Sequence, residues 1–137
     1  MNHLKFNHWA VILTALAAFI LSLIWYSPLL FGELWLKYGH ANPGAMPLWK
    51  TLIAPLRELI VAYMLTYLIL TIRIVDWRAA MWLGLSLWGA FHAVQMAGAV
   101  IWDNMPWQLG CVHAGDWLMK MLFMSAILCL WHRRKAT

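Results

Sequence analysis

Four long apolar runs constrain this chain more than any other feature of its sequence. They cover about residues 9–31, 52–72, 79–102 and 109–131. As helices rising 1.5 Å per residue, each would be about 31–36 Å long, enough to cross a bilayer core of about 30 Å. The first run is longer than the apolar part of a secretion signal, and no cleavage site follows it, so we expect it to be retained. The sequence therefore predicts four membrane-spanning helices.

The overall composition excludes the main alternatives to a membrane protein. The chain is 64% hydrophobic and only 11% charged, whereas a soluble domain has about 25% charged residues. Disorder requires low hydrophobicity and high charge, so it is excluded as well. The net charge of +5 comes from scattered basic residues that form no basic stripe, so no nucleic-acid partner is predicted. The expected surroundings of the chain are a lipid bilayer.

Short connections between the runs predict how the spans are arranged. Two of them, 73–78 and 103–108, are tight turns. The longest, 32–51, is expected to be a loop because it contains the helix-breaking residues Gly39, Pro43, Gly44 and Pro47. Short connections place consecutive helices side by side in opposite directions. The predicted fold is therefore all-α, an antiparallel bundle of four transmembrane helices in one domain over residues 1–137.

Basic residues near the ends of the runs predict the orientation of the spans. Lys and Arg favour the cytoplasmic side of a membrane. One side carries Lys5, Arg73, Arg78, Arg133, Arg134 and Lys135, and the other carries Lys37 and Lys50, with Arg57 just inside the second run. We therefore expect a multi-pass protein of the plasma (inner) membrane with both termini in the cytoplasm.

Ionisable and amide side chains inside the runs are candidates for a functional site, because burying them in a membrane is costly. They are Arg57, Glu58, His92, Gln95, His113, Asp116 and Lys120. The helical rise places all of them within about 16 Å of the outer ends of their spans. His113, Asp116 and Lys120 share one helix face, and Trp88, His92, Gln95, Ala99 and Asp103 share another. With Tyr26 from the first run, they predict a polar cluster that opens outward.

Three interpretations of this cluster are open. The leading one is a non-enzymatic, outward-opening site for a small solute or ion. In the second, Arg57, Glu58, Asp116 and Lys120 form two ion pairs that fix the bundle of a structural or partner-binding subunit. In the third, His92, His113, Asp116 and Glu58 bind a metal or support redox chemistry, although their spacing is not diagnostic. The sequence reveals no substrate pocket, so no catalytic residue and no cofactor are predicted.

Small residues recur every four positions in the last two runs. Gly89, Ala93 and Ala97 form one such series, and Gly110 and Ala114 form another. Small residues at this spacing let transmembrane helices approach closely. Four helices also enclose little volume, so we expect a homo-oligomer in which some of these faces lie between subunits.

The end of the first run resembles a known bacterial membrane family. It reads Trp25-Tyr26-Ser27-Pro28-Leu29-Leu30-Phe31-Gly32 and is followed by Trp35. This segment is similar to the WYSPLLFG-type motif of the family called domain of unknown function 1761. The resemblance implies four spans and no established activity. In physical terms, Pro28 bends the helix end, Trp25 and Tyr26 suit the membrane interface, and Gly32 allows a turn. The charged residues of the second and fourth runs exceed what the resemblance implies.

Overall fold

The computed structural model describes residues 5–39 and 47–135, and no strand occurs in these residues. Four helical segments are long and apolar enough to cross a membrane: His8–Trp25, Leu48–Ile72, Trp77–Trp102 and Trp107–Arg133. The predicted all-α class and the four spans are therefore confirmed, and the chain has the character of a multi-pass membrane protein. The antiparallel order of the spans stays a prediction.

Six α-helices and one π-helical segment make up the described fold. They are α1 His8–Trp25, α2 Gly32–Gly39, α3 Leu48–Ile72, α4 Trp77–Leu87, the π segment Trp88–Ala93, α5 Val94–Trp102 and α6 Trp107–Lys135. The third span consists of α4, the π segment and α5. Helix α6 contacts each of the other elements. It is therefore the central element of the bundle.

The first span is shorter than the sequence indicates, because α1 ends at Trp25 and not at residue 31. Pro28 has no N–H with which to continue the helical ladder, and the Ser27 hydroxyl instead donates to the carbonyl of Ile24 at 2.6 Å. A turn follows, and part of the predicted loop then forms α2. Pro43 and Gly44 of that loop lie outside the described residues.

Short polar side chains define the start of two spans. The Asn7 side chain accepts from the backbone N–H of Ala10 at the start of α1, and Asp76 accepts from that of Arg78 at the start of α4. Such caps satisfy N–H groups that have no partner within the helix. At the other end of α3, Arg73 adopts a left-handed conformation with φ 63°, which ends that helix. The third span accordingly begins at Trp77, close to its predicted start.

Alanines of α1, α3 and α4 let these helices pack closely around α6. Ala15, Ala18, Ala62 and Ala80 are buried against larger residues of the core. The larger buried residues are Val11, Leu65, Ile69, Met121, Met124, Leu128 and Cys129. Small residues at such contacts allow two backbones to approach each other in an apolar solvent. The core is therefore built mainly from α1, α3, α4 and α6.

The π segment changes which side chains of the third span face the bundle. A π turn contains one residue more than an α turn, so the helix beyond it is rotated by roughly 100° from the regular α-helical period. Trp88 and His92 belong to the segment, whereas Gln95 follows it. The single stripe predicted from Trp88 to Asp103 is therefore interrupted.

Gly84 provides the test of the contact between α4 and α6. A Cβ atom at Gly84 would lie 2.8 Å from the carbonyl oxygen of Met121 and would also clash with the Ser125 side chain. We expect Gly84→Leu to lower the free energy of unfolding in detergent by about 1–3 kcal/mol, the usual cost of overpacking. Gly89→Leu is the matched control, since a Cβ at Gly89 meets nothing within 4 Å. Equal stability of the two variants in a denaturant titration would contradict the close contact between α4 and α6 at Gly84.

Candidate functional site

Lys120 is buried in the bundle between two carboxylates. Its ammonium Nζ donates to Glu58 Oε1 at 2.7 Å and lies 3.0 Å from Asp116 Oδ2. Lys120, Glu58 and Asp116 are exposed by only 0%, 1% and 2%. Asp116 and Lys120 are four residues apart on one face of α6, and Glu58 reaches them from α3. We call these three residues the charge cluster.

The indole of Trp117 covers the charge cluster on one side. The Lys120 Nζ is 3.8 Å from the centre of this ring, close enough for a cation–π interaction. The Arg57 guanidinium carbon and the His92 ring centre lie farther away, at 5.9 Å each. The Lys120 ammonium therefore has three favourable neighbours: two carboxylate oxygens and one aromatic face.

Three buried polar atoms around the cluster have no hydrogen-bond partner among the described residues. They are Glu58 Oε2, Asp116 Oδ1 and His92 Nε2. Buried polar atoms of this kind are uncommon, because leaving them unpaired costs free energy. With both carboxylates and the amine ionised, the cluster carries one net negative charge. One further positive charge would therefore make it neutral.

A second polar contact lies at the start of α6. The Tyr26 hydroxyl oxygen is 2.6 Å from His113 Nδ1. His113 precedes Asp116 by three residues on the same face of α6, so this pair lies about one helical turn from the charge cluster. Both of its groups can donate and accept a hydrogen bond. The Tyr26–His113 pair therefore lies on the same face of α6 as the charge cluster, toward the start of that helix.

The family-like motif at the end of α1 holds Tyr26 in this position. The Trp25 Nε1–H donates to the carbonyl oxygen of Val112 at 2.9 Å, and the Trp25 ring lies where a Cβ at Gly115 would come within 2.6 Å of it. The Tyr26 ring packs against Trp35, with centres 5.3 Å apart. Trp25 and Tyr26, predicted from sequence as interfacial residues, therefore also join α1 to α6.

The rest of the motif forms the turn between α1 and α2. The N–H of Phe31 donates to the carbonyl of Trp25 at 3.0 Å, and the N–H of Gly32 donates to that of Ser27 at 2.9 Å. A Cβ at Gly32 would lie 2.6 Å from the carbonyl carbon of Ser27. Only glycine fits at this position. The turn folds α2 back toward α6 and places Trp35 against Tyr26.

Two predicted site residues are exposed and take no part in the polar contacts described above. Arg57 is exposed and forms no ion pair with Glu58 or Asp116, because it lies about 100° around α3 from Glu58, which faces α6. The two separate ion pairs considered from sequence are therefore replaced by one cluster of three residues. Gln95 is also exposed. The π segment ahead of it turns its side chain away from α6, although the regular helical period places it beside His92.

The described residues contain no group of three or more His, Cys, Asp or Glu side chains arranged to hold a metal ion. Of the four metal-ligand candidates, Glu58 and Asp116 bind Lys120, and His113 contacts Tyr26. His92 packs against the Trp117 ring. The arrangement of these side chains gives no support to the metal or redox interpretation.

The sequence interpretation missed His132 as a buried polar residue. It lies near the end of α6, where its Nε2 accepts from the backbone N–H of Asn7 at 3.1 Å. Its Nδ1 lies 2.8 Å from the carbonyl oxygen of Leu128, which can only accept, so Nδ1 carries the proton. His132 therefore links the start of α1 to α6. A histidine among terminal basic residues gives no sequence signal for this role.

Removing the lysine provides the test of the charge cluster. Lys120→Met leaves two carboxylates buried without a cation, so we expect a loss of about 3–5 kcal/mol in the free energy of unfolding. Adding Glu58→Gln and Asp116→Asn to Lys120→Met removes the uncompensated charge and is expected to restore much of that loss. Lys37→Met, at an exposed lysine, is the control and should change little. A Lys120→Met variant as stable as the unaltered protein in a denaturant titration would contradict the buried cluster.

Comparison with known proteins identifies the family of the chain. No curated protein and no solved structure matches it. A family model described as "Protein of unknown function (DUF1761)" matches residues 9–129, which include all of the charge cluster, Tyr26 and His113. Because this match covers most of the 137 residues, the chain belongs to the DUF1761 family.

Proposed function

We propose that this protein binds and releases a proton at the charge cluster, from the outer side of the plasma (inner) membrane, without catalysing a reaction. Both termini then lie in the cytoplasm, as the distribution of Lys and Arg favours. The outer side is the side of the Tyr26–His113 pair. The ligand expected from the sequence is a small solute or ion, and the ligand proposed here is the proton.

The observation that carries this proposal is the ratio of two buried carboxylates to one ammonium. Glu58 and Asp116 share Lys120, and each keeps one oxygen without a hydrogen-bond partner among the described residues. In a medium of low dielectric constant, a net negative charge is costly. A proton on either carboxylate removes that charge and leaves the ammonium paired.

The burial of the charge cluster favours a proton over a larger solute. The three side chains are almost completely buried. Two grooves of about 410 Å³ each lie on the described surface, but both are apolar and neither is lined by a cluster residue. One is bordered by α3 residues and Phe6, and the other by residues of α4 and α6. These grooves are suited to acyl chains and not to a polar solute.

The Tyr26–His113 pair supplies a route for the proton. The Tyr26 hydroxyl is in hydrogen-bond contact with His113 at 2.6 Å, and the imidazole is the group of this pair that can take up and release a proton. Asp116 follows His113 by one helical turn, so it is the cluster residue nearest to this pair along α6. In this proposal a proton passes through His113 to Asp116, and either Asp116 or Glu58 can hold it beside Lys120.

A structural role is the second candidate, and one observation favours it. The 2.7 Å contact between Lys120 and Glu58 joins α6 to α3, so it can fix the register of these helices whether or not the cluster titrates. In that case substitutions in the cluster change stability or assembly and nothing else.

Proton uptake by protein in vesicles distinguishes the two candidates. The protein is reconstituted in a weakly buffered medium, and an external pH dye follows uptake after an acid step from about pH 7.5 to 6, above the range of an exposed carboxyl. We expect Asp116→Asn and Glu58→Gln to take up fewer protons per chain than the unaltered protein. Glu33→Gln is the control, because Glu33 is an exposed glutamate in α2.

The outcome of this experiment separates the proposals clearly. Equal uptake by all four proteins, with lower thermal stability of the cluster variants alone, would reject the proton site and leave the structural role. A reduced uptake in Glu33→Gln as large as that in Asp116→Asn would also reject it, because a surface carboxylate would then explain the signal.

A further inference from the structure

The third span is much less covered by the rest of the chain than the other three. Only 6% of its most apolar stretch is buried, against 28%, 28% and 39% for the first, second and fourth spans. Within it, none of the described α5 residues is buried. One long side of this span therefore makes no contact with the protein's own helices.

Gln95 lies on this uncovered side, where contact with lipid would leave its amide without hydrogen bonds. Its side chain is exposed, and no hydrogen bond joins it to another described residue. It precedes Trp102, the last residue of α5, by seven positions, or about 10 Å along the helix. Lipid chains offer no hydrogen bonds, so an amide at that depth favours a protein partner. A carboxamide both donates and accepts, so a second Gln95 can satisfy it.

Gly98 lies three residues after Gln95, on the same uncovered side. A Cβ atom there would meet only the ring of Trp102, at 3.7 and 3.8 Å, which is ordinary contact. No other part of the described chain therefore requires a glycine at this position, although glycine weakens a helix. A glycine beside a polar residue is what two closely packed transmembrane helices use at their contact.

We infer that a second copy of this chain docks on the face of the third span that is formed by Phe91 of the π segment and by Val94, Gln95, Gly98 and Ile101 of α5. The face is complementary to itself, because exposed apolar side chains flank the small residue Gly98 and the carboxamide of Gln95 pairs with an identical group. Self-complementary surfaces of this kind produce two-fold dimers. The dimer makes no use of the charge cluster, so this inference is independent of the proposed function.

The number of chains per assembly in lipid vesicles tests the dimer. Labelled protein is reconstituted at low density, and single-molecule photobleaching gives the fraction of dimers over a range of protein-to-lipid ratios. We expect the unaltered protein to dimerise and Gln95→Leu to associate about fivefold more weakly, the effect of one interhelical polar contact. Gly98→Leu is expected to weaken association as well, because its side chain keeps the two helices apart.

Two matched substitutions away from the face serve as controls. Gln108→Leu repeats the Gln95→Leu change at the start of α6. Gly89→Leu repeats the Gly98→Leu change at an open position within the π segment. Both should dimerise like the unaltered protein. Circular dichroism of each variant checks that its helices are intact.

Cysteine crosslinking gives a second measurement, which stays informative even if a leucine variant fails to fold. In a Cys111→Ser background, which removes the exposed native thiol, Gly98→Cys should form a disulfide-linked dimer and Gly89→Cys should not. A monomeric unaltered protein at all protein-to-lipid ratios would overturn the inference. Dimers that persist in both Gln95→Leu and Gly98→Leu, or that crosslink equally through Gly89→Cys, would also overturn it.

Discussion

The ammonium of Lys120 is held between Glu58 and Asp116 in a span that is otherwise largely apolar. A lysine at such a position is stable only with anionic partners, and a single carboxylate would already balance its charge. The second carboxylate adds one negative charge to the interior of the bundle. The same ammonium contacts Glu58 of α3 and lies 3.8 Å from the centre of the Trp117 ring, so this one group joins α3 to α6.

The other polar contacts of the chain maintain the geometry around this cluster. The turn after α1 places Trp25 and Tyr26 against the start of α6, and the Trp88 indole donates to the carbonyl of Ala114 at 2.9 Å from the third span. At the far end of α6, His132 accepts from the backbone of Asn7. Helix α6 is thus connected to α1 near both of its ends and to the third span between them, with the charge cluster in its middle part.

The fold class follows from the sequence because four apolar runs of bilayer length leave few other structures for the chain. The contact among Glu58, Asp116 and Lys120 is also predictable, since oppositely charged residues at similar depth in neighbouring spans form ion pairs in an apolar medium. Which of the adjacent residues Arg57 and Glu58 joins the cluster is not predictable. Adjacent residues lie about 100° apart around a helix, so only one of the two faces α6, and the position of Lys120 decides which.

For Gln95 and for the motif at the end of α1, helical periodicity does not predict which way the side chains face or which helix they contact. The π segment rotates α5 away from the regular helical period, and nothing in the residues Trp88–Ala93 indicates this extra residue in the turn. The roles of Trp25 and Tyr26 depend on contacts with residues 87 positions away. Sequence reasoning identifies such residues as interfacial, but only the packing of Trp25 against Gly115 reveals their partner helix.

Infrared difference spectroscopy of the reconstituted protein, recorded as the pH is lowered, shows whether the carboxylates of the charge cluster take up a proton. With carbon-13 in the side-chain carboxyl groups of aspartate, the protonated form of Asp116 is separable from that of glutamate. If the charge cluster binds a proton, a protonated carboxyl band grows as the pH is lowered, and this band disappears in Asp116→Asn or Glu58→Gln. A spectrum in which both carboxylates of the charge cluster stay ionised down to the pH of unfolding would contradict the proposed proton site.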